Sequence, residues 1–154
     1  MDLSDLIEVS AVLPALKANS KKQLLQLLAE KAASVTGLPE RAIFETILQR
    51  ERLGSTGVGN GIAIPHGKLA GVERITGVFA RMEQPVEFEA LDDQPVDLVF
   101  LLLAPEGAGA DHLKALSRIA RVLREGETVR KIRGTKDAAA IHTFLAQSPT
   151  SNAA

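Results

Sequence analysis

Residues 53–68 read LGSTGVGNGIAIPHGK, and five of these sixteen are glycine in a chain of 154 residues that has 12 in all. Such a run cannot be the interior of a helix or a long strand, because glycine there gives up backbone entropy without packing a side chain. Its usual compensation is a backbone conformation, or a close approach, that a Cβ would forbid. The run also changes character: a glycine loop from Gly54 to Gly61, the apolar stretch Ile62-Ala63-Ile64, then Pro65, His66 and Gly67. This order predicts a loop, a strand, and a side chain presented at the strand's end.

The flanks predict helices and strands in alternation. Ser20 followed by Gln23 has a capping-box shape ahead of LLQLLAEKAASV, whose apolar spacing fits a helix that Gly37 ends. Pro39 opens a second helix carrying the pairs Ile43/Ile47 and Phe44/Leu48, which runs into QRERLG and stops at Gly54. Val9 to Leu16 reads as an early strand, against which Pro14 argues. Ile75 to Met82 reads as a strand, and Asp97 to Leu103 as a buried one with an unbroken apolar run. Asp111-His112 opens an amphipathic helix with Leu113, Leu116, Ala120 and Leu123 on one face and Asp111 as its N-cap. Two shorter helical patterns follow, Glu127 to Arg133 and Asp137 to Ala146. Interspersed elements of this kind predict a single α/β domain, a sheet covered by helices, over residues 3–146. The tail 147–154, QSPTSNAA, has no apolar periodicity and is expected to be unstructured.

Composition narrows the function classes. The 45% hydrophobic content supports one substantial core at this length. Charge is nearly balanced, 18 basic against 19 acidic residues, so nothing global points to nucleic acid or a membrane surface. The absence of tryptophan and tyrosine also weakens stacking on single-stranded nucleic acid. No apolar run approaches the roughly 20 residues that span a bilayer. The start MDLSDL is not a secretory signal, so the expected compartment is the cytoplasm. Without cysteine, neither a disulfide nor a thiolate metal site can form. Locally the charges separate: Glu83, Glu87, Glu89, Asp92, Asp93 and Asp97 have no base between them, whereas basic residues prevail from Lys114 to Lys136. That asymmetry reads as two solvated faces, with a docking patch as the other reading.

The glycine loop invites a nucleotide-binding reading that fails on details. A P-loop needs Lys-Ser/Thr after its last glycine, and Gly61 is followed by Ile62-Ala63. The dinucleotide fingerprint runs from a strand into a helix, whereas this loop leads from a helix into a strand. Two readings remain, an anion-accepting row of backbone N–H groups or a plain connection. Ser55 and Thr56 lack a nucleophile elbow, and loop hydroxyls usually satisfy turn backbone. No histidine spacing suits a metal. His66 can act as a nucleophile through a neutral ring nitrogen, or be a surface loop residue. His112 stands at a helix start that favours an anion, or is an ordinary first-turn residue. Arg50 is either a cation suited to its helix end or a clamp for a phosphoryl group. His142 reads as structural or exposed.

The helix ending in QRERLGSTGVGNGIAIPHGKL, the later PVDLVFLLLAP strand and the ADHLKALSRIARVL helix together resemble the mannitol/fructose-type IIA domains of the bacterial phosphoenolpyruvate:sugar phosphotransferase system, nearest to their nitrogen-regulatory branch. The resemblance covers residues 3 to 146 and implies an α/β fold with a mixed β-sheet flanked by helices on both sides. It implies that His66 takes a phosphoryl group from a phosphohistidine on an HPr-like carrier. The arginine sixteen residues upstream that contacts the phosphate falls on Arg50, and a second histidine that hydrogen-bonds the phosphoryl group falls on His112. No metal or nucleotide cofactor is implied. The nitrogen-type branch further implies regulation of targets such as potassium transporters or sensor kinases through the phosphorylation state. A sugar-specific transport component and a binding module that takes no phosphate are the alternatives.

Overall fold

The computed structural model describes residues 2–147, and the tail expected to be unstructured lies, from residue 148 on, outside the described residues. Two 3-10 turns, Leu3–Asp5 and Val9–Ala11, lead into β1 (Val12–Leu16). There follow α1 (Lys21–Thr36), α2 (Glu40–Leu53), the short strands β2 (Gly57–Gly59), β3 (Ile62–Ala63) and β4 (His66–Lys68), the long strands β5 (Thr76–Val86) and β6 (Val96–Ala104), and α3 (Ala110–Val122), α4 (Gly126–Arg133) and α5 (Ala138–Ala146). The mixed α/β fold expected from the sequence is the one observed.

Both predicted boundaries of α1 stand where expected, but only half of the capping box forms, because Gln23 Oε1 accepts the Asn19 N–H at 2.6 Å in place of that of Ser20. Ser20 Oγ accepts the Gln23 N–H at 3.1 Å, and Gly37 adopts the left-handed conformation, φ 79°, returning its N–H to Ala33. The sheet order is β1-β5-β6-β3-β2, with β4 also on β6. β5 and β6 are antiparallel, whereas β1, β3 and β4 join their neighbours in parallel. β6 is central, and every residue in it but Asp97 is buried, so helices must cover both faces of the sheet there. Phe79 and Phe100 face each other across the β5–β6 register and meet edge-to-face with centroids 6.1 Å apart. β1 forms despite Pro14 because it lies at the sheet edge, and its register on β5 shifts between Leu13 and Leu16.

The glycine segment is more ordered than a loop. β2 and β3 form a small antiparallel hairpin, turned by Asn60 at φ 58° and Gly61 at φ 81°. A Cβ on Gly61 would lie 2.5 Å from Arg133 Nη2, so both backbone angle and space require glycine there. The hairpin tip is held by charges: Asp92 accepts the Asn60 N–H at 2.9 Å, and Arg133 donates to the Asn60 carbonyl while forming a two-pronged pair with Asp97. Lys136 and Arg81 likewise reach Glu83. The expectation of two separate solvated charge faces is corrected in part here, because Asp97 and Glu83 of the acidic stretch pair with Arg133 and Lys136 of the basic one.

The phase of α3 is a second correction. His112, Ala115, Ile119 and Val122 are its buried residues, whereas Leu113 is exposed and Leu116 and Ala120 are only half-buried. Positions 113-116-120-123 and 112-115-119-122 are both helically spaced, and small Ala115 fits closely under the sheet while a leucine at 113 would not point there. Asp111 lies inside the first turn rather than at the N-cap, which is Gly109.

Candidate functional site

β6 supplies the platform for His66. β3 pairs with its first half, Ile62 opposite Leu98, and after Pro65 the chain rejoins it as β4, with His66 opposite Leu102. The Leu102 N–H bonds the Pro65 carbonyl at 2.9 Å, so the connection between the two short strands is itself tied to the core strand. The backbone of His66 is thereby fixed to the most buried element of the protein.

The ring is fixed as well. His66 Nδ1 lies 2.7 Å from the Ile64 carbonyl oxygen. A carbonyl only accepts, so Nδ1 carries the proton, and in the neutral ring Nε2 keeps its lone pair. Burial lowers the His66 pKa and the nearby Arg50 guanidinium lowers it further, against the Ile64 hydrogen bond and the Glu51 carboxylate, which raise it; the net direction is down. At neutral pH the ring is therefore the neutral, nucleophilic form.

The structure brings all three sequence-predicted residues together. His66, His112 and Arg50 line one open hollow of about 670 Å³, with Thr46, Gln49 and Lys68. The His66 and His112 ring centroids are 5.6 Å apart and the rings are tilted by 53°. His112 comes from the first turn of α3 and is buried, and its Nε2 has no hydrogen-bond partner among the described residues. Its pKa is also lowered, by burial first and then by His66 and Lys68. An unpartnered, shielded ring nitrogen lining a shared hollow is left to meet whatever occupies the hollow, as a donor in one tautomer and as an acceptor in the other. Arg50 is half-buried in the last turn of α2 and donates one N–H to the Gly54 carbonyl at 2.9 Å. The hollow can hold a tetrahedral anion between two imidazoles and a guanidinium.

The remaining candidates lie elsewhere. Ser55 Oγ donates to the Phe88 carbonyl and accepts the Gly57 N–H, as expected of a turn hydroxyl. His142 Nε2 lies 2.8 Å from the Ile7 carbonyl and ties α5 to the N-terminal turns. Among the described residues no cluster of three or more His, Asp or Glu could hold a metal ion, and no helix is long and apolar enough to cross a membrane. A larger depression of about 1010 Å³, around the N-terminal turns and residues 71–77, contains none of the three residues.

Sequence reasoning missed Glu51. Its carboxylate is buried and takes both the N–H and the hydroxyl of Thr56, with Lys21 Nζ at 2.9 Å. The available signal was an acid in the last turn of α2, where the helix dipole disfavours negative charge and a specific partner is needed to offset it.

Comparison with known proteins places this geometry among related chains. The family model described as phosphoenolpyruvate-dependent sugar phosphotransferase system, EIIA 2, matches residues 5–148. A nitrogen regulatory protein of Bradyrhizobium diazoefficiens is 61% identical over 99% of this chain and 100% of its own length. One from Escherichia coli strain K12 is 42% identical over 88% of this chain and 84% of its own. The crystal structure of the nitrogen regulatory protein IIA-Ntr from Neisseria meningitidis superposes with a TM-score of 0.88 at 35% identity, covering 93% of this chain and 98% of that one.

Proposed function

The chain belongs to the EIIA type 2 family of the phosphoenolpyruvate-dependent sugar phosphotransferase system, and on that premise we propose that it is a phosphoryl carrier whose His66 accepts the group from a phosphohistidine on an HPr-like protein. The observation that carries this reading is the 2.7 Å contact from His66 Nδ1 to the Ile64 carbonyl, which leaves Nε2 as the bare nitrogen beside His112 and Arg50.

The His66 Nε2 lone pair attacks the phosphorus in line, an N–P bond forms, and the donor's N–P bond breaks with its electron pair returning to the donor ring. His66 keeps the Nδ1 proton, and the Ile64 carbonyl stabilises the positive charge that the ring gains. The transition state is loose and spreads charge over three equatorial oxygens, so positioning and cations dominate. Arg50 offsets that charge and His112 donates Nε2–H to a phosphoryl oxygen. Donor and acceptor are both imidazoles, so transfer is readily reversible, as a signalling relay requires.

The names of the nitrogen regulatory relatives support a regulatory use over sugar uptake, and on this reading the chain works in the cytoplasm. On this reading, proteins of nitrogen, potassium or carbon metabolism, among them potassium transporters or sensor kinases, are bound in one phosphorylation state. The test is incubation with phosphoenolpyruvate, enzyme I and the HPr-like carrier. Wild type is expected to take up one phosphoryl group and His66→Ala none; uptake by His66→Ala on another residue would overturn the assignment.

A further inference from the structure

Behind His66 a continuous run of hydrogen bonds leads to a carboxylate that faces away from the hollow. Glu51 lies in the last turn of α2 with its side chain only 2% exposed, between two arginines of the same turn. Both its oxygens accept the Thr56 N–H at 3.1 Å, one also accepts the Thr56 hydroxyl, and Lys21 Nζ, from the first residue of α1, lies 2.9 Å away. Lys21 is held in turn over the Phe88 ring, 4.6 Å from its centroid. Thr56 then hands the constraint on: its carbonyl accepts the Ile64 N–H at 3.0 Å, and the Ile64 carbonyl is the group that takes the Nδ1–H of His66.

These bonds sit at the base of the β2–β3 hairpin. Thr56 and Ile64 form the rung that closes it, one residue before β2 and one after β3. Thr56 is 4% exposed, Ile64 5% and Glu51 6%, so water cannot replace a lost bond. An ion pair serving stability alone needs only Lys21 opposite Glu51. Here the carboxylate also gathers both donors of Thr56, and each bond constrains the next because the N–H and carbonyl of Thr56, and those of Ile64, belong to neighbouring peptides joined at one Cα.

We propose that Glu51 is a positioning residue for His66: through Thr56 it fixes the backbone of Ile64, whose carbonyl selects the Nδ1–H tautomer and aims Nε2 into the hollow. The proposal rests on reading His66 as the phosphoryl acceptor. It assigns Glu51 no contact with the phosphoryl group.

The test compares wild type with Glu51→Gln, Thr56→Val and Thr56→Ser. Long-range proton–nitrogen NMR reads the His66 tautomer directly, and phosphoramidate, a small donor that loses ammonia and needs no docking surface, reads phosphoryl uptake. Wild type is expected to show the Nδ1–H tautomer. Glu51→Gln is expected to mix the tautomers and slow uptake by about tenfold or more, since small misplacement of a reacting group is costly. Thr56→Val, which removes only the hydroxyl, shifts both readouts in the same direction and less, while Thr56→Ser restores them. The proposal is overturned if Glu51→Gln and Thr56→Val are folded yet keep the wild-type tautomer and an uptake rate within about twofold. Should Glu51→Gln fail to fold, Thr56→Val alone decides. Wild type that takes phosphate neither from phosphoramidate nor from the carrier would sink the carrier reading, and the tautomer measurement would still decide the role of Glu51.

Discussion

Replacing Gly67 by alanine measures how tightly α2 presses on the strand that carries His66. A Cβ at Gly67 would lie 2.7 Å from Thr46 Cγ2, with the next atoms, Thr46 Cβ and its carbonyl oxygen, at 3.9 Å. Carbon atoms pack best at about 3.5–4.0 Å, so one methyl overlaps by roughly 0.8 Å and everything else fits. Inserting a methyl into a well-packed site costs about 1–3 kcal/mol. Removing glycine from the unfolded chain returns about 0.4–1 kcal/mol. The middle of each range leaves a net loss of about 1.3 kcal/mol, or about 3–5 °C in Tm at this chain length.

The offending atom can be deleted separately. Thr46→Ser removes Cγ2 and keeps the hydroxyl that donates to the Ala42 carbonyl at 2.9 Å. Urea unfolding of the two single variants and the double variant should give a favourable coupling of about 1 kcal/mol, well above the error for independent sites. His66 precedes Gly67 on β4, so phosphoryl uptake should fall in Gly67→Ala and recover in the double variant. A Gly67→Ala protein as stable as wild type, or a double variant no better than the sum of the singles, would refute the steric argument.

Arg50→Ala should cost only about 0.3–1 kcal/mol of stability, the worth of a cation at a helix C-terminus, yet slow phosphoryl uptake by about 10²-fold, as removal of a transition-state donor does; paired urea and single-turnover measurements separate the two. Stability should also fall as pH drops below about 6.5, the ordinary imidazole value. Burial first, then Arg50 at His66 and His66 with Lys68 at His112, hold both folded pKa values down. The unfolded chain therefore binds more protons there, and unfolding free energy rises with pH until both states are neutral. Urea midpoints at pH 8 and pH 5.5 should show this, and His66→Gln/His112→Gln should flatten the difference.

Much of the fold was legible because local signals and tertiary packing agree. Ser20, Gly37 and Pro39 punctuate the first two helices at the places where the structure starts and stops them. The unbroken apolar run of β6 announced a strand covered on both faces. The phase of α3 was not legible: two helically spaced residue sets overlap there, and only the fit of Ala115 and Ile119 under the sheet selects between them. In the site, His66, His112 and Arg50 were each an open candidate on residue chemistry alone, and the family resemblance supplied their roles. Glu51 escaped notice because an acid between two arginines looks solvent-facing. Its partner Lys21 is thirty residues away, and only the packing of α1 against α2 brings them together.

The ends of the sheet carry a consequence of their own. One outer strand, β1, contains Pro14, which has no N–H to offer, and its register is broken beside that proline. The other border is shared by β2, three residues long with two of them glycine, and β4, also three residues long. Neither border presents a long, regular row of donors and acceptors on which a foreign strand could template. A chain that leaves the apolar side chains of Leu53 and Leu113 in solvent therefore still offers a foreign strand little purchase for fibrillar growth when such molecules crowd together.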